Sequence, residues 1–230
     1  MKTFRFPEWV RFPTHWIEEK GLASIVWKKE EGSDGTAALL CLIAIAQRVD
    51  EHGIARVTYD DLERATSRSR AKVAAGIATL EKWGLVTKEV AGQSTYFLEG
   101  FDPGGGWAKL PARALYGKDG AITAVKEFRL RRPVELHALK LYLLFVSRRD
   151  RKVNLAVINY ETIESYTGLQ SLQIRRAITY LSALNLIHVE RVKSWESDIG
   201  KANAYRLVGL DSYVHRGTTD IEAKLAEGKK

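Results

Sequence analysis

The chain contains one stretch twice, and this repeat is the strongest constraint on how it can fold. Residues 36–87 align with residues 137–188 without a gap, and 11 of the 52 aligned pairs are identical. Most other apolar positions keep their apolar character, as Val57 does opposite Ile158. Chance supplies a few identities, but not a shared apolar register without gaps. We therefore expect one fold unit, duplicated at an offset of 101 residues.

The repeat extends in both directions when small gaps are allowed. Upstream, Trp9 aligns with Trp107, and downstream Tyr96 aligns with Tyr205. The second copy has eight extra residues before its last strand, which indicates a longer surface loop on a shared core. The stretch Phe101–Gly106 contains one proline and three glycines and is interpreted as the linker between the two copies. We predict an N-terminal domain over residues 1–103, a C-terminal domain over residues 104–212 and a polar tail over residues 213–230.

The composition is that of a globular protein of two domains. The chain has 230 residues, of which 45% are apolar, so neither disorder nor a fibre is indicated. No apolar run approaches the ~18 residues that span a bilayer, and the first residues lack the apolar segment of a signal peptide. We expect a cytoplasmic protein without a membrane partner. The single cysteine, Cys41, lies in an apolar run and is interpreted as a buried thiol.

The two copies differ strongly in charge. Residues 9–101 hold 12 basic and 13 acidic side chains, whereas residues 107–210 hold 18 basic and 9 acidic ones. Almost the whole basic excess therefore lies in the second copy, as expected if that copy binds a polyanion. A solvated basic surface is the alternative that charge alone leaves open.

Hydrophobic periodicity predicts an α+β chain that is mainly helical. In the first copy the predicted helices are Thr14–Lys20, Ala37–Val49, Asp60–Ala65 and Ser69–Trp83, and the predicted strands are Ile54–Thr58, Leu85–Val90 and Tyr96–Leu98. In the second copy a helix is expected over Glu135–Val146 and strands over Val189–Val192 and Ala204–Val208, with Ile122–Leu130 a further candidate strand. The order is helix, strand, helix, tight turn, helix and a two-stranded hairpin.

This order and its residues resemble winged-helix (winged helix-turn-helix) DNA-binding domains. The motif runs from Tyr59 through Leu62, Ala65, Thr66, Ser67, Arg68, Ser69 and Arg70 to Val73, and returns as Tyr160 through Ile163, Thr167, Gly168 and Leu169 to Ile174. Two such units in one chain resemble the architecture of plasmid and mobile-element replication initiators, which bind repeated origin sequences. The likeness to initiators is architectural, since no motif peculiar to them is present.

The resemblance implies which side chains contact DNA, because a recognition helix enters the major groove with its first turns. Arginine there can bind guanine or phosphate, glutamine can bind adenine, and leucine can contact a thymine methyl group. Ser69 is expected to be the N-cap of the first recognition helix. The candidate DNA-binding residues are Arg68, Ser69, Arg70, Lys72, Ser171, Leu172, Gln173, Arg175, Arg176, Arg191, Lys193 and Lys201.

Some of these residues have alternative interpretations. Arg70 and Lys72 are also compatible with an ordinary solvated surface. Arg68 cannot fill the core position that Leu169 fills in the second copy, so it either loosens the first unit or points at the DNA backbone. Four basic residues before the second copy's first helix either contact the DNA backbone or solvate the linker: Lys126, Arg129, Arg131 and Arg132.

Catalysis finds little support in the sequence. The five histidines show no metal-binding spacing, and no phosphate-loop or nucleophile-elbow motif occurs. Asp60 and Asp61 lie at a helix start, where acidic residues favour the dipole. We expect no enzyme activity, no metal and no cofactor.

The predicted function is sequence-specific binding of double-stranded DNA, as a replication initiator of a plasmid or mobile element. A transcriptional repressor or activator with the same fold is the first alternative, and a protein-interaction scaffold is the second. Besides DNA, the N-terminal domain is expected to contact a second copy of the chain or replication and transcription proteins. The protein is therefore expected to be associated with the nucleoid or a plasmid.

Overall fold

The computed structural model describes residues 5–28, 32–89, 94–193 and 201–211, and within them the chain is α+β, as predicted. The α-helices are α1 (His15–Glu18), α2 (Gly21–Ser24), α3 (Gly32–Ala46), α4 (Tyr59–Thr66), α5 (Arg70–Lys82), α6 (Pro133–Arg148), α7 (Tyr160–Thr167) and α8 (Ser171–Ala183). The strands are β1 (Trp9–Pro13), β2 (Ile54–Arg56), β3 (Val86–Lys88), β4 (Thr95–Leu98), β5 (Trp107–Pro111), β6 (Leu155–Val157), β7 (Ile187–Lys193) and β8 (Lys201–Leu207).

Helices α3 and α6 form the centre of the molecule. Residues 37–46 of α3 and residues 135–146 of α6 are buried on every side. A helix that is apolar all round can only be stable inside a core, and these two helices pack against each other. Around them, α5 packs on α3 and α8 packs on α6, so that one continuous cluster of buried side chains runs through both halves.

The two halves have the same order of elements. The first runs α3, β2, α4, α5, β3, β4, and the second runs α6, β6, α7, α8, β7, β8. Each half has a three-stranded antiparallel sheet, in the orders β2-β4-β3 and β6-β8-β7. The central strand of each sheet carries a fully buried tyrosine, Tyr96 in one and Tyr205 in the other.

Equivalent backbone positions in the two halves adopt the same rare conformation. A positive φ is uncommon for residues other than glycine and serves mainly in turns and helix C-caps. The matching pairs and their φ angles are Gly53 (77°) with Asn154 (53°), Ser67 (54°) with Gly168 (66°), Gly84 (66°) with Asn185 (53°), and Gly100 (69°) with Gly209 (86°). Turns at the same places therefore join the elements of both halves.

The helix caps also correspond between the halves. The side chain of Thr58 accepts a hydrogen bond from the backbone N–H of Asp61 at the start of α4, and Asn159 does the same for Thr162 at the start of α7. Such caps satisfy backbone donors that the helix itself cannot pair. Both helices thus start at the residue that the repeat alignment places at the same position.

A two-stranded ribbon joins the beginnings of the two halves. Strand β1 pairs antiparallel with β5, with Val10 opposite Leu110. Phe12 and Leu110 are buried in the core, whereas Trp9 and Trp107 stack on each other with ring centroids 6.0 Å apart. The predicted domain boundary at residue 103 lies in the turn between β4 and β5, and the first strand of one half is bound to the first strand of the other.

One predicted element is wrong in the structure, and two predicted helices have other bounds. Instead of a strand over Ile122–Leu130, residues Thr123–Glu127 form a 3-10 helix, and Ile122 makes only an isolated bridge with Tyr116. Carbonyl groups that a neighbouring strand would need are bound by the guanidinium of Arg68. The first helix ends at Glu18, two residues before its predicted end, because Lys20 adopts a left-handed φ of 62°. Helix α3 spans Gly32–Ala46 where Ala37–Val49 was predicted.

Cys41 is buried in α3, as predicted, and burial raises the pKa of its thiol to about 12. None of the described helices combines the length and the apolar character needed to cross a membrane.

Candidate nucleic-acid interface

Helix α8 has one face in the core and one face in solvent. Ile174, Ala177 and Leu181 are buried against the rest of the second half. The opposite face is exposed along the helix: Leu172, Arg175, Arg176 and Thr179. Leu172 is 54% exposed, an unusual position for a large apolar side chain. The structure thus places the predicted contacts of the second helix on one accessible surface, with Ser171 and Gln173 half-buried beside it.

A groove with four arginines runs beside this face. It has a volume of about 810 Å³ and lies between α8 and the start of α6; we call it the arginine groove, after Arg131, Arg132, Arg175 and Arg176, which line it. Within the described part of the chain, none of these four guanidinium groups forms an ion pair, and no carboxylate lines the groove. The arginine groove is electropositive and open to solvent, so an anion can enter it and bind.

The wall of the arginine groove includes a buried histidine. His137 is buried, and burial together with the nearby charge of Lys140 lowers its pKa to about 4. Burial also lowers the pKa of Lys140 to about 8, and its Nζ donates a hydrogen bond of 2.6 Å to the carbonyl of Ile25. His137 is therefore neutral near pH 7, and the positive charge of the groove comes from its arginines.

Gln173 has a structural partner. Its Oε1 accepts a hydrogen bond of 2.9 Å from the backbone N–H of Gln170 at the start of α8. This bond caps the helix, so a bidentate contact of Gln173 with adenine requires the cap to open. The sequence alone did not indicate this competing role.

The two basic residues at the start of α5 are paired within the protein. Arg70 lies 2.9 Å from Asp60 and 4.9 Å from the ring centre of Tyr59. The Nζ of Lys72 lies 2.7 Å from the carboxylate of Asp34. These pairs are partly exposed and therefore weak, but they place a carboxylate beside each of the two cations in the first turn of α5. Ser69 is the N-cap residue, as predicted, and its side chain makes no capping bond.

Arg68 has neither of the two roles that the sequence left open. Its guanidinium donates hydrogen bonds to the carbonyl groups of Val125, Lys126 and Phe128, which precede α6. Partial burial lowers its pKa. The side chain therefore fastens the turn between α4 and α5 to the second half.

A second groove lies on the other side of this contact. It measures about 550 Å³, and we call it the turn groove because it is lined by Ser67, Ser69, Lys72, Arg129 and Arg131, among others. Arg131 lines both grooves. Of the linker cations that the sequence left open, Lys126 forms an ion pair with Asp119.

The hairpin of the second half carries the predicted basic residues, and parts of both hairpins lie outside the described residues. In β7, Arg191 is exposed opposite Asn203, and Glu190 binds Arg206 with two hydrogen bonds of 2.6 and 3.0 Å. That pair stiffens the hairpin behind Arg191. Lys193 and Lys201 face each other in register, but their side chains, like residues 194–200, lie outside the described residues. The tip of the first hairpin, residues 90–93, also lies outside them.

The described residues contain no cluster of three histidine, cysteine, aspartate or glutamate side chains that could hold a metal ion.

A scan of protein-family models and a search of curated proteins found no match to this chain. The chemistry available at the site is the binding of anions by arginine, combined with an exposed helix face that carries one apolar and several polar groups.

Proposed function

We propose that this protein binds double-stranded DNA sequence-specifically through two winged-helix domains that arose by duplication, with α8 as the main recognition helix. The observation that carries the proposal is the exposed face of α8, where Arg175 and Arg176 have no acidic partner among the described residues. A helix with such a face fits the major groove of DNA.

The winged-helix assignment is supported by the shared element order of the two halves. The repeated stretch in each half has three helices and a three-stranded sheet whose last two strands form a hairpin. The four matching positive-φ positions support a common origin, because unrelated chains would not place such turns at equivalent residues.

The chemistry of the α8 face suits base edges as well as phosphates. Arginine can bind the O6 and N7 atoms of guanine with two parallel hydrogen bonds. An exposed leucine gains little from water but can pack on a thymine methyl group. Beside the helix, Arg191 and the register-matched Lys193 and Lys201 give the β7–β8 hairpin cations for the adjacent backbone.

We infer that the process served is replication initiation. Two covalently joined units can address two groove segments about one helical turn apart, and the second unit then binds at a high effective concentration. Such a chain suits the repeated sequences of an origin. Transcriptional regulation is the alternative, and a footprint over the DNA that flanks the gene separates them. An array of evenly spaced protected repeats supports initiation, whereas one or two protected sites over a promoter contradict it.

The DNA-binding proposal is tested by reversing charge on α8. The double variant Arg175→Glu/Arg176→Glu should abolish binding to a labelled duplex, since it replaces two attractive contacts with two repulsive ones. The matched control is Lys118→Glu/Lys152→Glu, which makes the same change of charge at exposed positions outside both grooves. Equal losses in both variants would refute the assignment of α8, because only non-specific charge would then matter.

A variant with a smaller change of charge tests the two arginines that α8 has and α5 lacks. In the repeat alignment Arg175 and Arg176 correspond to Ala74 and Ala75. The variant Arg175→Ala/Arg176→Ala therefore gives α8 the residues of its counterpart. It should weaken binding to cognate DNA by about 1–3 kcal/mol for each arginine that binds a base. An equal weakening on random DNA would assign both arginines to phosphates.

A further inference from the structure

Three arginines project from the short connector that leads into α6. The connector comprises residues 128–132, and Arg129, Arg131 and Arg132 are all exposed. Within the part of the chain that the structure describes, none of the three has an ion-pair partner. Arg131 lines both the arginine groove and the turn groove, so the connector joins the surface of α8 to the start of α5.

The backbone of the connector is fixed at several points. Leu130 is buried and adopts a left-handed φ of 57°, which turns its neighbours outward. The N–H of Arg129 donates a hydrogen bond of 2.8 Å to the buried carboxylate of Glu135. At the other side, the guanidinium of Arg68 holds the carbonyl of Phe128. A backbone that is already ordered loses less entropy when its side chains bind a partner.

The charges along this path are unbalanced. Among the described residues that line the two grooves there is no aspartate or glutamate, whereas both walls of the arginine groove carry a pair of arginines. Like charges at close range repel one another, so the cluster favours a bound anion. Because Arg131 lines both grooves, an extended anion bound along the connector would contact both of them.

We propose that the connector arginines bind the backbone phosphates of the duplex that α8 reads, which makes the two grooves one phosphate track between the two units. This inference rests on the proposed function and adds to it the path of the DNA. DNA supplies a negative charge about every 1.7 Å along its axis, so a continuous row of cations matches it. Arg68 is a positioning residue in this arrangement, because it fastens the connector to the first unit.

The test is the salt dependence of binding. The probe is a fluorescein-labelled duplex of random sequence and roughly 30 base pairs, about three helical turns. Its affinity is measured by anisotropy between low and moderate salt for the full chain and for Arg129→Ala/Arg131→Ala/Arg132→Ala. Each phosphate contact contributes about 0.9 to the slope of log affinity against log salt, so the slope should fall by about 2 to 3. Affinity at low salt should fall at least about tenfold.

The matched control is Lys82→Ala/Lys118→Ala/Lys152→Ala, which removes three exposed cations that line neither groove. Its slope should change by less than about one unit. Circular dichroism melting checks that both triple variants fold, and the connector side chains are exposed, so their removal leaves the core intact. A slope for the connector variant equal to that of the control overturns the proposal.

Two further outcomes distinguish a failure of the proposed DNA binding from the binding of a small anion at the connector. If the unaltered chain binds no duplex at all, the proposed function itself fails. If the chain binds duplex, but the connector variant loses only a saturable binding of pyrophosphate and keeps its DNA slope, the arginines serve a small free anion and the track is refuted.

The positioning role of Arg68 has its own readout. Arg68→Lys keeps the charge but cannot reach the three carbonyl groups together. We expect weaker duplex binding with an unchanged salt slope, since the number of cations stays the same. Unchanged affinity would show that the connector holds its place without Arg68.

Discussion

Acid should destabilise this protein through one buried histidine. His137 is 9% exposed, and its pKa in the folded chain is about 4, against 6.5 in an unfolded chain. Burial is the main cause, because the charged ring loses its water, and the positive charge of Lys140 adds to it. The folded protein therefore binds the proton less well than the unfolded chain does.

The sign and the size of the effect follow from this difference. A depressed folded-state pKa gives stability that is fully present above pH 6.5 and is lost as the pH falls through 4. A difference of about 2.5 pKa units corresponds to about 3 kcal/mol of unfolding free energy at 25 °C. This is a large share of the ~5–15 kcal/mol that holds a typical domain together.

The assay is urea unfolding at pH 7 and pH 4, compared between the unaltered chain and His137→Thr. Threonine is the residue at the equivalent position of the first copy, where Thr36 is fully buried. Carboxylates titrate in both proteins, so they cancel in the difference. The free-energy difference between the two proteins should shift by about 3 kcal/mol in favour of the variant on acidification.

A control histidine excludes a general effect of removing imidazole. His52 is exposed, so His52→Thr removes an imidazole without removing a buried one and serves as the matched control. If the difference for His137→Thr changes no more between pH 7 and pH 4 than that for His52→Thr, the buried histidine is not the cause and the reasoning is refuted.

Three other predictions follow from packing and charge. Gly76→Ala should lower the unfolding free energy in urea by about 1–3 kcal/mol, because its Cβ would lie 2.9 Å from a backbone carbon of α3; a gain in stability would contradict this. Ser67→Gly should stabilise by about 1 kcal/mol in thermal melts, since Ser67 has a φ of 54° where the second copy has Gly168. Asp34→Asn/Asp60→Asn should raise duplex affinity severalfold at low salt, measured by anisotropy, because it releases the cations of α5.

Local patterns in the sequence predicted most helices and strands of the repeated stretch, but not the short helix α2 or the 3-10 helix Thr123–Glu127. The spacing of Ile174, Ile178 and Leu181 gives α8 one apolar face, and this alone determines which residues are exposed. The left-handed turn at Gly168 also follows from the residue type. Because each of these signals is local, the order of elements could be predicted without knowing how the halves pack.

Long-range contacts could not be predicted in this way. Arg68 binds carbonyl groups almost sixty residues away, and nothing near it in sequence indicates that partner. The pairing of β1 with β5 likewise joins segments that the alignment treats as equivalent, not as neighbours. The arginine groove arises only when α8 packs beside the start of α6, so the sequence could name its cations but not bring them together.

The two copies use an equivalent acidic residue in different ways, and this adds to the difference in charge between their helix faces. Asp34 and Glu135 occupy the same repeat position in the first turns of α3 and α6. Asp34 is partly exposed and neutralises Lys72, whose counterpart in α8 is the uncharged Gln173. Glu135 is buried and holds the backbone of Arg129. In the second copy Glu135 therefore orders the connector, which presents cations, whereas in the first copy Asp34 neutralises the cation Lys72. We therefore expect the proposed DNA interface to be strongest at α8, with the connector extending it towards α5.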